Sequence, residues 1–499
     1  MAIQIGWGRA EISVDEPVSI PGQAILRISE GIMDPLYATA LCIDGGQGQD
    51  AVIFCSCDLT SLRGKTLSGT LEKVAALRPE IPVNNIIMNT THTHTSCTQG
   101  KTPEKSPDGK DIYSGEKYVE FLTDQCAKAI CQAWDCRTPG GVAYGYGYAV
   151  VAHSRRVVYF DDYSLRGFSQ SLSPNGHGVM YGKTNDDQFS HYESGADHFL
   201  NAMFTFDETG KLTGIVANVP CPSQISEMMS KLSADYWHDV RVAVGKEFGE
   251  DVYVLPQCAA AGDLSPRLLH YKEAQARRMK LKYGLEYDPA GSNHQFNKCM
   301  AERYDIAQRI VEGLKDIYCW AKKEIFTDCP VRHIHKVMTL DKRLVTEEEK
   351  AWCEETIRQL AQQVPDPSQV DPEVYRKKKS RYDSVKRRNE RVLQKYEEQK
   401  TDKTLDMDCH VVRIGDVAFA TNRFELYQDF MHRIQARSPF LQTFVVQLGG
   451  AIGGSYLSTW RGVANKGYGS CIFDNVVGPE GGQQLVEQTL ELLQELHGS

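Results

Sequence analysis

Two histidines one residue apart, surrounded by small hydroxyl residues, are the strongest chemical feature of this sequence. Residues 91–96, Thr-His-Thr-His-Thr-Ser, directly follow an apolar run at 85–88 that is typical of a buried strand. Because side chains alternate along a strand, we expect His92 and His94 to lie on one face at the strand's end. Such a pair suits a metal site or an acid–base site. The alternative is two ordinary exposed or hydrogen-bonded histidines.

The segments that must position these histidines follow an α/β pattern. Residues 1–340 alternate short apolar segments with segments of helical periodicity. We predict strands over 38–43, 51–55, 85–88, 199–206, 214–219 and 252–255, and helices over 61–77 and 119–134. In open α/β sheets, functional residues gather at the carboxyl ends of the strands. The candidates that follow predicted strands in this way are Asp58, His92, Cys221 and Asp263.

Residues 341–405 have a different character. Thr346 and Glu349 form a capping-box pattern, which predicts a helix that ends near residue 363. A second helix, predicted over about 372–399, carries a narrow apolar stripe suited to pairing with one other helix. We therefore predict an inserted helical hairpin arm. Its second helix is basic, which we interpret as a solvated face rather than a nucleic-acid surface, because the whole chain is acidic.

After residue 406 the strand pattern returns. We predict strands over 409–413, 417–421 and 443–448, and a final amphipathic helix over about 481–496. The predicted fold class is therefore α/β, with a mixed β-sheet core flanked by helices. In this interpretation residues 1–340 and 406–499 form a single domain, and 341–405 form the arm.

The composition is typical of a soluble globular protein. The chain has 499 residues, of which 41% are hydrophobic and 24% charged, and its net charge is −9. This charge gives no overall electrostatic case for nucleic-acid binding. No apolar run approaches the roughly 20 residues that span a bilayer, and the N-terminus lacks a signal-peptide pattern. The 15 cysteines form no CxxC pair, so we predict a reducing, cytoplasmic compartment. The sequence leaves open whether the protein forms homo-oligomers.

Several further segments, in the same order along the chain, resemble the neutral ceramidase family, whose members are zinc amidases. Residues 8–12, 56–59, 91–95 and 262–266 resemble its Gly-Arg-Ala-Asp-Ile, Ser-Ala-Asp-Leu, Thr-His-Thr-His-Ser and Gly-Asp-Val-Ser-Pro segments. Tyr456 and Tyr468 match two family tyrosines with the same separation. The resemblance runs from residue 8 to about residue 490, interrupted by one insertion. It implies the fold of the family's catalytic domain, and no residues here correspond to the family's further C-terminal domain.

The resemblance implies a zinc site. Carried over by position, three family ligands correspond to His92, Glu425 and Tyr456. The family's remaining ligand histidine is replaced by Cys221, which follows the predicted strand at 214–219. A cysteine thiolate is a good zinc ligand, so Cys221 is the first candidate for this place. The alternatives are His238 or Glu227 as the ligand, or a site that binds no metal or a different one.

Five other positions match residues that would assist catalysis: His94, Arg155, Tyr468, Ser265 and Asp58. The resemblance implies that His94 and Tyr468 donate to an oxyanion, and that Ser265 contacts the substrate. It also implies that Arg155, or its neighbour Arg156, binds a substrate oxygen. We predict that Asp58 orients a ligand histidine by accepting a hydrogen bond from it, the alternative being a turn residue at the strand end.

These residues together predict a zinc-dependent hydrolase that cleaves an amide bond in a soluble small-molecule or acyl-conjugate substrate. Zinc would lower the pKa of bound water to about 7 and polarise the carbonyl. One alternative is a glycoside or other conjugate hydrolase, for which Asp58, Glu227, Asp263 and Glu425 supply carboxylates. Another is a non-catalytic binding protein with a degenerate site, supported mainly by Cys221.

Overall fold

The computed structural model describes residues 2–23, 25–46, 51–106, 109–166, 175–366, 368, 371–451 and 456–498. Within this part of the chain, no helix is both long and apolar enough to cross a membrane. The predicted α/β class is confirmed, because mixed sheets lie against helices throughout the described residues.

The strands follow the chain from the first residues to the last hundred. In chain order they are β1 (Gln4–Glu11), β2 (Ser19–Ile20), β3 (Arg27–Ile28), β4 (Tyr37–Asp44), β5 (Val52–Cys57), β6 (Ile86–Thr90), β7 (Thr138–Tyr148), β8 (His153–Ser154), β9 (Arg156–Tyr159), β10 (Gly178–Met180), β11 (Phe189–Tyr192), β12 (Phe199–Asp207), β13 (Leu212–Val219), β14 (Tyr253–Cys258), β15 (Leu264–Ser265), β16 (Val331–Asp341), β17 (Thr404–Ile414), β18 (Val417–Thr421), β19 (Glu425–Leu426), β20 (Gln442–Val446) and β21 (Tyr456–Leu457).

The α-helices fall between these strands. In chain order they are α1 (Gly64–Leu77), α2 (Gly115–Asp135), α3 (Tyr236–Phe248), α4 (Lys272–Tyr283), α5 (Phe296–Ala321), α6 (Glu347–Ala361), α7 (Pro372–Glu398), α8 (Gln428–Arg437), α9 (Trp460–Asn465) and α10 (Pro479–His497).

Two sheets form the centre of the fold. The larger has eight strands in the order β14-β13-β12-β7-β1-β4-β5-β6, and the smaller has four in the order β16-β17-β18-β20. The sheets pack face to face through aromatic side chains. The Phe54 ring in β5 lies 4.9 Å from Phe419 in β18, which stacks on Phe444 in β20 at 4.3 Å. This aromatic layer is the middle of a four-layer arrangement.

Helices cover the outer faces of both sheets. α1, α2, α3 and α5 pack on the larger sheet, and α8 and α10 on the smaller one. Central strands are therefore buried on both faces, as in β5, where every residue of Val52–Cys57 is buried. Double burial explains why these strands have nearly continuous apolar sequences. The carboxyl ends of the parallel pairs β5/β6 and β13/β14 lead into the loops that carry the candidate site residues.

The predicted hairpin is formed by α6 and α7. The capping box is present: the Thr346 hydroxyl accepts from the Glu349 amide, and the Glu349 carboxylate accepts from the Thr346 amide. The hairpin packs on the main body through a small apolar core that includes Cys353, Val392 and Ile472. The division into one domain and an inserted arm stays a prediction.

Candidate active site

His92 and His94 lie side by side, as predicted, but the strand does not bring them together. β6 ends at Thr90, and His92 has a left-handed backbone with φ 62°. The two rings meet edge to face, with their Nε2 atoms 3.3 Å apart. The two rings are neighbours as predicted, but the predicted cause, alternation along a strand, is wrong. A non-glycine residue with positive φ turns the chain after the strand instead.

The two ring nitrogens of His92 have different partners. Nδ1 lies 2.7 Å from the backbone carbonyl oxygen of Thr60, so Nδ1 carries a hydrogen and donates it. Nε2 lies 3.3 Å from Oε2 of Glu425. In a neutral imidazole with the hydrogen on Nδ1, Nε2 has only a lone pair, which repels a carboxylate oxygen. A proton or a metal cation must therefore accompany this contact.

Glu425 and Tyr456 are brought together by strand pairing. They are register partners in the parallel pair β19 and β21, and their side chains are hydrogen-bonded. Burial acts to raise the pKa of Glu425, but His92, Arg155 and Tyr456 outweigh it and lower that pKa. Burial, followed by Glu425 and Tyr468, raises the pKa of Tyr456 well above its ordinary value. The pair is therefore a carboxylate beside a neutral phenol.

Arg155 points into this group, and Arg156 does not. One Arg155 nitrogen, Nη2, donates to the Gly262 carbonyl at 2.8 Å and lies 3.4 Å from the Tyr456 hydroxyl and 3.6 Å from Glu425. The Arg156 guanidinium instead holds Glu193 through two hydrogen bonds of 2.6 and 2.8 Å. This geometry resolves the choice between the two neighbours in favour of Arg155 as the residue beside the site.

Gln224 connects His94 to Arg155, a role that no sequence pattern indicated. Its Nε2 lies 2.8 Å from His94 Nε2, and its Oε1 lies 3.3 Å from Arg155 Nη1 and 3.4 Å from the Tyr181 hydroxyl. Because Arg155 can only donate, the amide oxygen must face it and the amide nitrogen must donate to His94. His94 therefore carries its hydrogen on Nδ1, which faces Glu227 Oε2 at 3.6 Å.

Two further arginines surround His94 and were also missed. Arg27 donates to the carbonyl of His94 at 2.5 Å, and Arg267 forms an ion pair with Glu227. Burial, the neighbouring His92 and the three arginines lower the pKa of His94 well below its ordinary value. Burial lowers the pKa of Arg27 to about 10, which still leaves it charged at neutral pH. Only the position of Arg267 just after the Ser-Pro of residues 265–266 could have drawn attention to it.

Cys221 is not brought into this group. Its thiol is fully buried in an apolar core and lies 3.5 Å from the Val151 carbonyl oxygen. Burial raises its pKa well above the ordinary value, which disfavours the thiolate that a metal requires. The alternative ligand His238 is a half-buried residue in the first turn of α3. The role of either residue as a ligand stays a prediction that this geometry does not favour.

Asp58 has a different partner from the one expected. Its carboxylate accepts two hydrogen bonds from Arg241, at 2.8 and 3.0 Å, and one from the Tyr37 amide at 2.9 Å. The His92 ring is oriented by the Thr60 carbonyl instead, so the predicted role of Asp58 in holding a ligand histidine is not what the structure has. Asp263 is likewise engaged, since it accepts from the Gln428 backbone and side chain at 3.1 Å.

Ser265 and Tyr468 differ strongly in the solvent exposure of their side chains. The Ser265 side chain is fully buried, and its hydroxyl accepts from the Arg267 amide at 3.1 Å. Tyr468 is 46% exposed, and its ring stands edge-on to Tyr456 at 5.5 Å. Tyr468 therefore lies where the group around Glu425 meets solvent, whereas Ser265 supports the loop that carries Arg267.

Three side-chain atoms that could act as metal donors lie close together in this site. Across the described ranges, no group of three or more His, Cys, Asp or Glu side chains is placed to hold a metal ion. The donors that do converge are an imidazole nitrogen, a carboxylate oxygen and a phenol oxygen, from His92, Glu425 and Tyr456. All three are atom types that zinc accepts, tyrosine oxygen being the least common.

Comparison with known proteins supports the fold. Neither protein-family models nor curated protein sequences match this chain. Solved structures with a similar fold include two ceramidases. The crystal structure of neutral ceramidase from Pseudomonas aeruginosa has a TM-score of 0.66 and 16% identity, over 99% of this chain and 75% of that one. A ceramidase complexed with C2 has a TM-score of 0.65 and 14% identity, over 100% and 76%. The chain therefore has the fold of the neutral ceramidases.

Proposed function

We propose that this protein is a zinc-dependent hydrolase that cleaves an amide bond of the N-acyl type in a soluble conjugate. His92, Glu425 and Tyr456 would hold the metal, and Arg155, His94 and Tyr468 would act on the substrate. The fold shared with neutral ceramidases supports the reaction class as an analogy only, because folds host divergent chemistry.

The contact between His92 and Glu425 is the observation that carries the proposal. The Thr60 carbonyl fixes the hydrogen of His92 on Nδ1, so Nε2 faces the carboxylate with its lone pair, unless a second proton is present. A metal-binding histidine characteristically donates its other ring hydrogen to a carbonyl or a carboxylate, which fixes the tautomer. His92 has this arrangement. Zinc binding would displace the proton from Nε2 and release it to solvent.

The residues around the metal donors suit hydrolysis. Bound zinc would supply an activated water and would polarise the substrate carbonyl. Arg155 would donate to the carbonyl oxygen, and Tyr468 would reach it from the exposed side. His94 Nε2 accepts a hydrogen bond from Gln224; it would give up that bond to take a proton from the attacking water and pass it to the leaving amine. Glu227, beside Nδ1, would balance the charge that His94 then carries.

The neighbours of His94 support a polar substrate. Gln224, Glu227 and Arg267 surround the imidazole, and each is a buried polar or charged side chain. Such side chains make this part of the site polar, which suits a substrate with hydrogen-bonding groups near the scissile amide. A hydrophilic N-acyl conjugate fits these neighbours better than a lipid with two hydrocarbon chains.

The test is zinc content, measured by elemental analysis on protein purified without chelator. We expect about one zinc per chain in the wild type, from the usual occupancy of a catalytic site. His92→Ala and Glu425→Ala should lose the metal. Titration of zinc into metal-free protein in two buffers of different ionisation enthalpy should show proton release, which His92→Ala abolishes.

Cys221→Ser and His238→Gln are the matched controls for the ligand assignment. Both should keep zinc, because neither side chain belongs to the group around Glu425. Loss of zinc in Cys221→Ser would instead make Cys221 a ligand and the donor set wrong. Wild-type protein without zinc, and unable to bind it, would refute the proposed mechanism. Release of fatty acid from lipid amides, with soluble conjugates untouched, would refute the substrate class.

A further inference from the structure

A cavity of about 320 Å³ lies between the hairpin and the main body, away from the candidate active site. One wall is formed by α7 and the residues that follow it, and the other by the turn after β16 and the segment before α10. Four of its lining residues are basic: Lys342, Arg343, Arg391 and Lys395.

The acidic residues of the cavity are already engaged. Asp402 forms an ion pair with Lys342 at 2.6 Å, and Glu398 accepts from the Gln394 side chain at 2.6 Å. Arg343 is held by Glu349, outside the cavity, at 2.8 Å. Among the described side chains, Arg391 and Lys395 on α7 are then the lining cations for which no direct ion pair is found.

These two cations lie on one face of α7 together with a third, Arg388. Arg388, Arg391 and Lys395 have the spacing i, i+3, i+7, which places them in a row along the helix. The ion pairs of this helix include those of Lys379, Lys386 and Glu397. Like charges at this spacing repel one another, so the row raises the free energy of the helix unless an anion compensates it.

The Lys395 environment strengthens this argument. Its Nζ donates to the Ile472 carbonyl at 3.2 Å, and the side chain is partly buried. Burial, followed by the charge of Arg391, lowers the pKa of Lys395, while Asp474 acts in the opposite direction. A lysine held in this way is poised to gain from a bound anion, because a nearby negative charge offsets both desolvation and repulsion.

We propose that this cavity is a binding site for a phosphate group, held by Arg391 and Lys395 with Arg343 beside them. Guanidinium and ammonium groups that converge without carboxylate partners are what phosphate oxygens require. The site goes beyond the proposed hydrolase function and does not depend on it.

The cavity is connected to the candidate active site by one side chain. Asn475 lines the cavity, and its Oδ1 lies 3.3 Å from Arg343 Nη1. Its Nδ2 donates to the backbone carbonyls of Tyr456 at 3.0 Å and Gly469 at 3.1 Å. A phosphate bound at Arg343 would therefore restrain the segment that carries Tyr468, and would slow hydrogen exchange of its amides.

The experiment is calorimetric titration of the full chain with inorganic phosphate at constant ionic strength. The wild type should bind, and Arg391→Gln and Lys395→Gln should each bind about tenfold more weakly or worse, as expected for one lost charge-assisted contact. Lys386→Gln is the matched control, because it removes the same charge from an exposed position of the same helix. It should keep the wild-type affinity. Thermal unfolding of each variant checks that it is folded.

Two further measurements distinguish a lipid headgroup from a soluble phosphate as the ligand. If the wild type sediments with phosphatidylcholine vesicles that contain phosphatidic acid, and Arg391→Gln does not, the phosphate group belongs to a lipid. Saturation by inorganic phosphate without vesicle binding would assign it to a soluble ligand. The proposal is overturned if neither probe binds, or if Lys386→Gln weakens binding as much as Arg391→Gln does. Unchanged hydrogen exchange at residues 469–476 with phosphate bound would refute the connection through Asn475.

Discussion

Glu425 and Tyr456 lie opposite each other as register partners, so that strand pairing alone places a carboxylate beside a buried phenol. Tyr456→Phe removes the hydroxyl and leaves the ring. We expect zinc affinity to fall by about ten- to a hundredfold, because the change removes one proposed metal donor and its hydrogen bond to another. Competition with a chromogenic chelator measures this. Tyr468→Phe should leave zinc affinity unchanged, and equal losses in both variants would contradict the assignment of Tyr456 as a donor.

Gly22 packs against the His94 ring. A Cβ atom at residue 22 would lie 2.5 Å from His94 Nδ1, and the glycine has φ 91°. Gly22→Ala should therefore displace His94 and reduce hydrolysis strongly. Gly31 is the matched control, with φ 103° and nothing within 4 Å of an added Cβ. Gly31→Ala should cost only the backbone strain, about 1–2 kcal/mol, with activity retained. Equal kcat/KM in the two variants would contradict this role of Gly22.

The ion pair of Arg156 with Glu193 is almost entirely buried and also anchors the backbone at Tyr468. The two side chains are 0% and 1% exposed, and Arg156 donates to the Tyr468 carbonyl at 2.6 Å. Glu193→Gln would leave a buried guanidinium without its counter-charge, so we expect a loss of about 3–5 kcal/mol in the free energy of unfolding. Urea denaturation measures it.

An exposed ion pair provides the comparison for Glu193. Arg437 and Glu487 also form a close pair, but their side chains are 49% and 40% exposed. Glu487→Gln should therefore cost less than about 1 kcal/mol. If the two substitutions destabilise the protein equally, burial does not decide the strength of the Arg156 pair.

A cluster of histidines on β16 and β17 makes stability depend on pH. His333 Nε2 and His410 Nδ1 are 3.0 Å apart, His335 stacks on His410, and Asp408 accepts from His335 at 2.8 Å. Burial first, and then the neighbouring imidazoles, lower the pKa of His333 to about 4 and that of His410 to about 3. The unfolded chain, with histidine pKa values near 6.5, therefore binds more protons below that pH than the folded chain does.

It follows that stability is full above about pH 6.5 and falls as the pH drops toward 4. The expected slope is about 1.4 kcal/mol per pH unit for each of the two histidines. His410→Gln removes one of the two titrations and should make the slope shallower. His294, which is exposed, is the control, and His294→Gln should keep the wild-type slope. Urea denaturation at a series of pH values tests this, and an unchanged slope in His410→Gln would contradict it.

Local patterns predicted the bounds of several elements well, although long elements such as α5 and β16 were not predicted. The strand predicted over residues 417–421 has these bounds in the structure, and the capping box at Thr346 starts α6. Both depend on neighbouring residues only, through apolar periodicity and helix capping. The packing of the two sheets against each other could not be predicted, because the contact of Phe54 with Phe419 joins segments that are far apart in sequence.

The resemblance named residues that lie close together, whereas partners from distant segments were missed; the roles of the named residues stay predictions. His92, Glu425 and Tyr456 lie together as that resemblance implied. Asp58 was misread, because its partner Arg241 lies on α3, and nothing near Asp58 in sequence indicates it. Gln224 could not be found at all, since an isolated glutamine has no pattern. Its role depends on where the loop after β13 places it.

The contacts that complete the site join residues about three hundred positions apart. Arg155 reaches the Tyr456 hydroxyl across 301 positions, and Arg156 reaches the Tyr468 carbonyl across 312. During synthesis on the ribosome, the segment with His92 and His94 leaves the exit tunnel long before Glu425 and Tyr456 are made. Closing so large a loop is entropically costly and slows folding. A nascent chain therefore holds His92 without Glu425 for a long stretch of synthesis, and the group forms only after the segment with Glu425 and Tyr456 has been made.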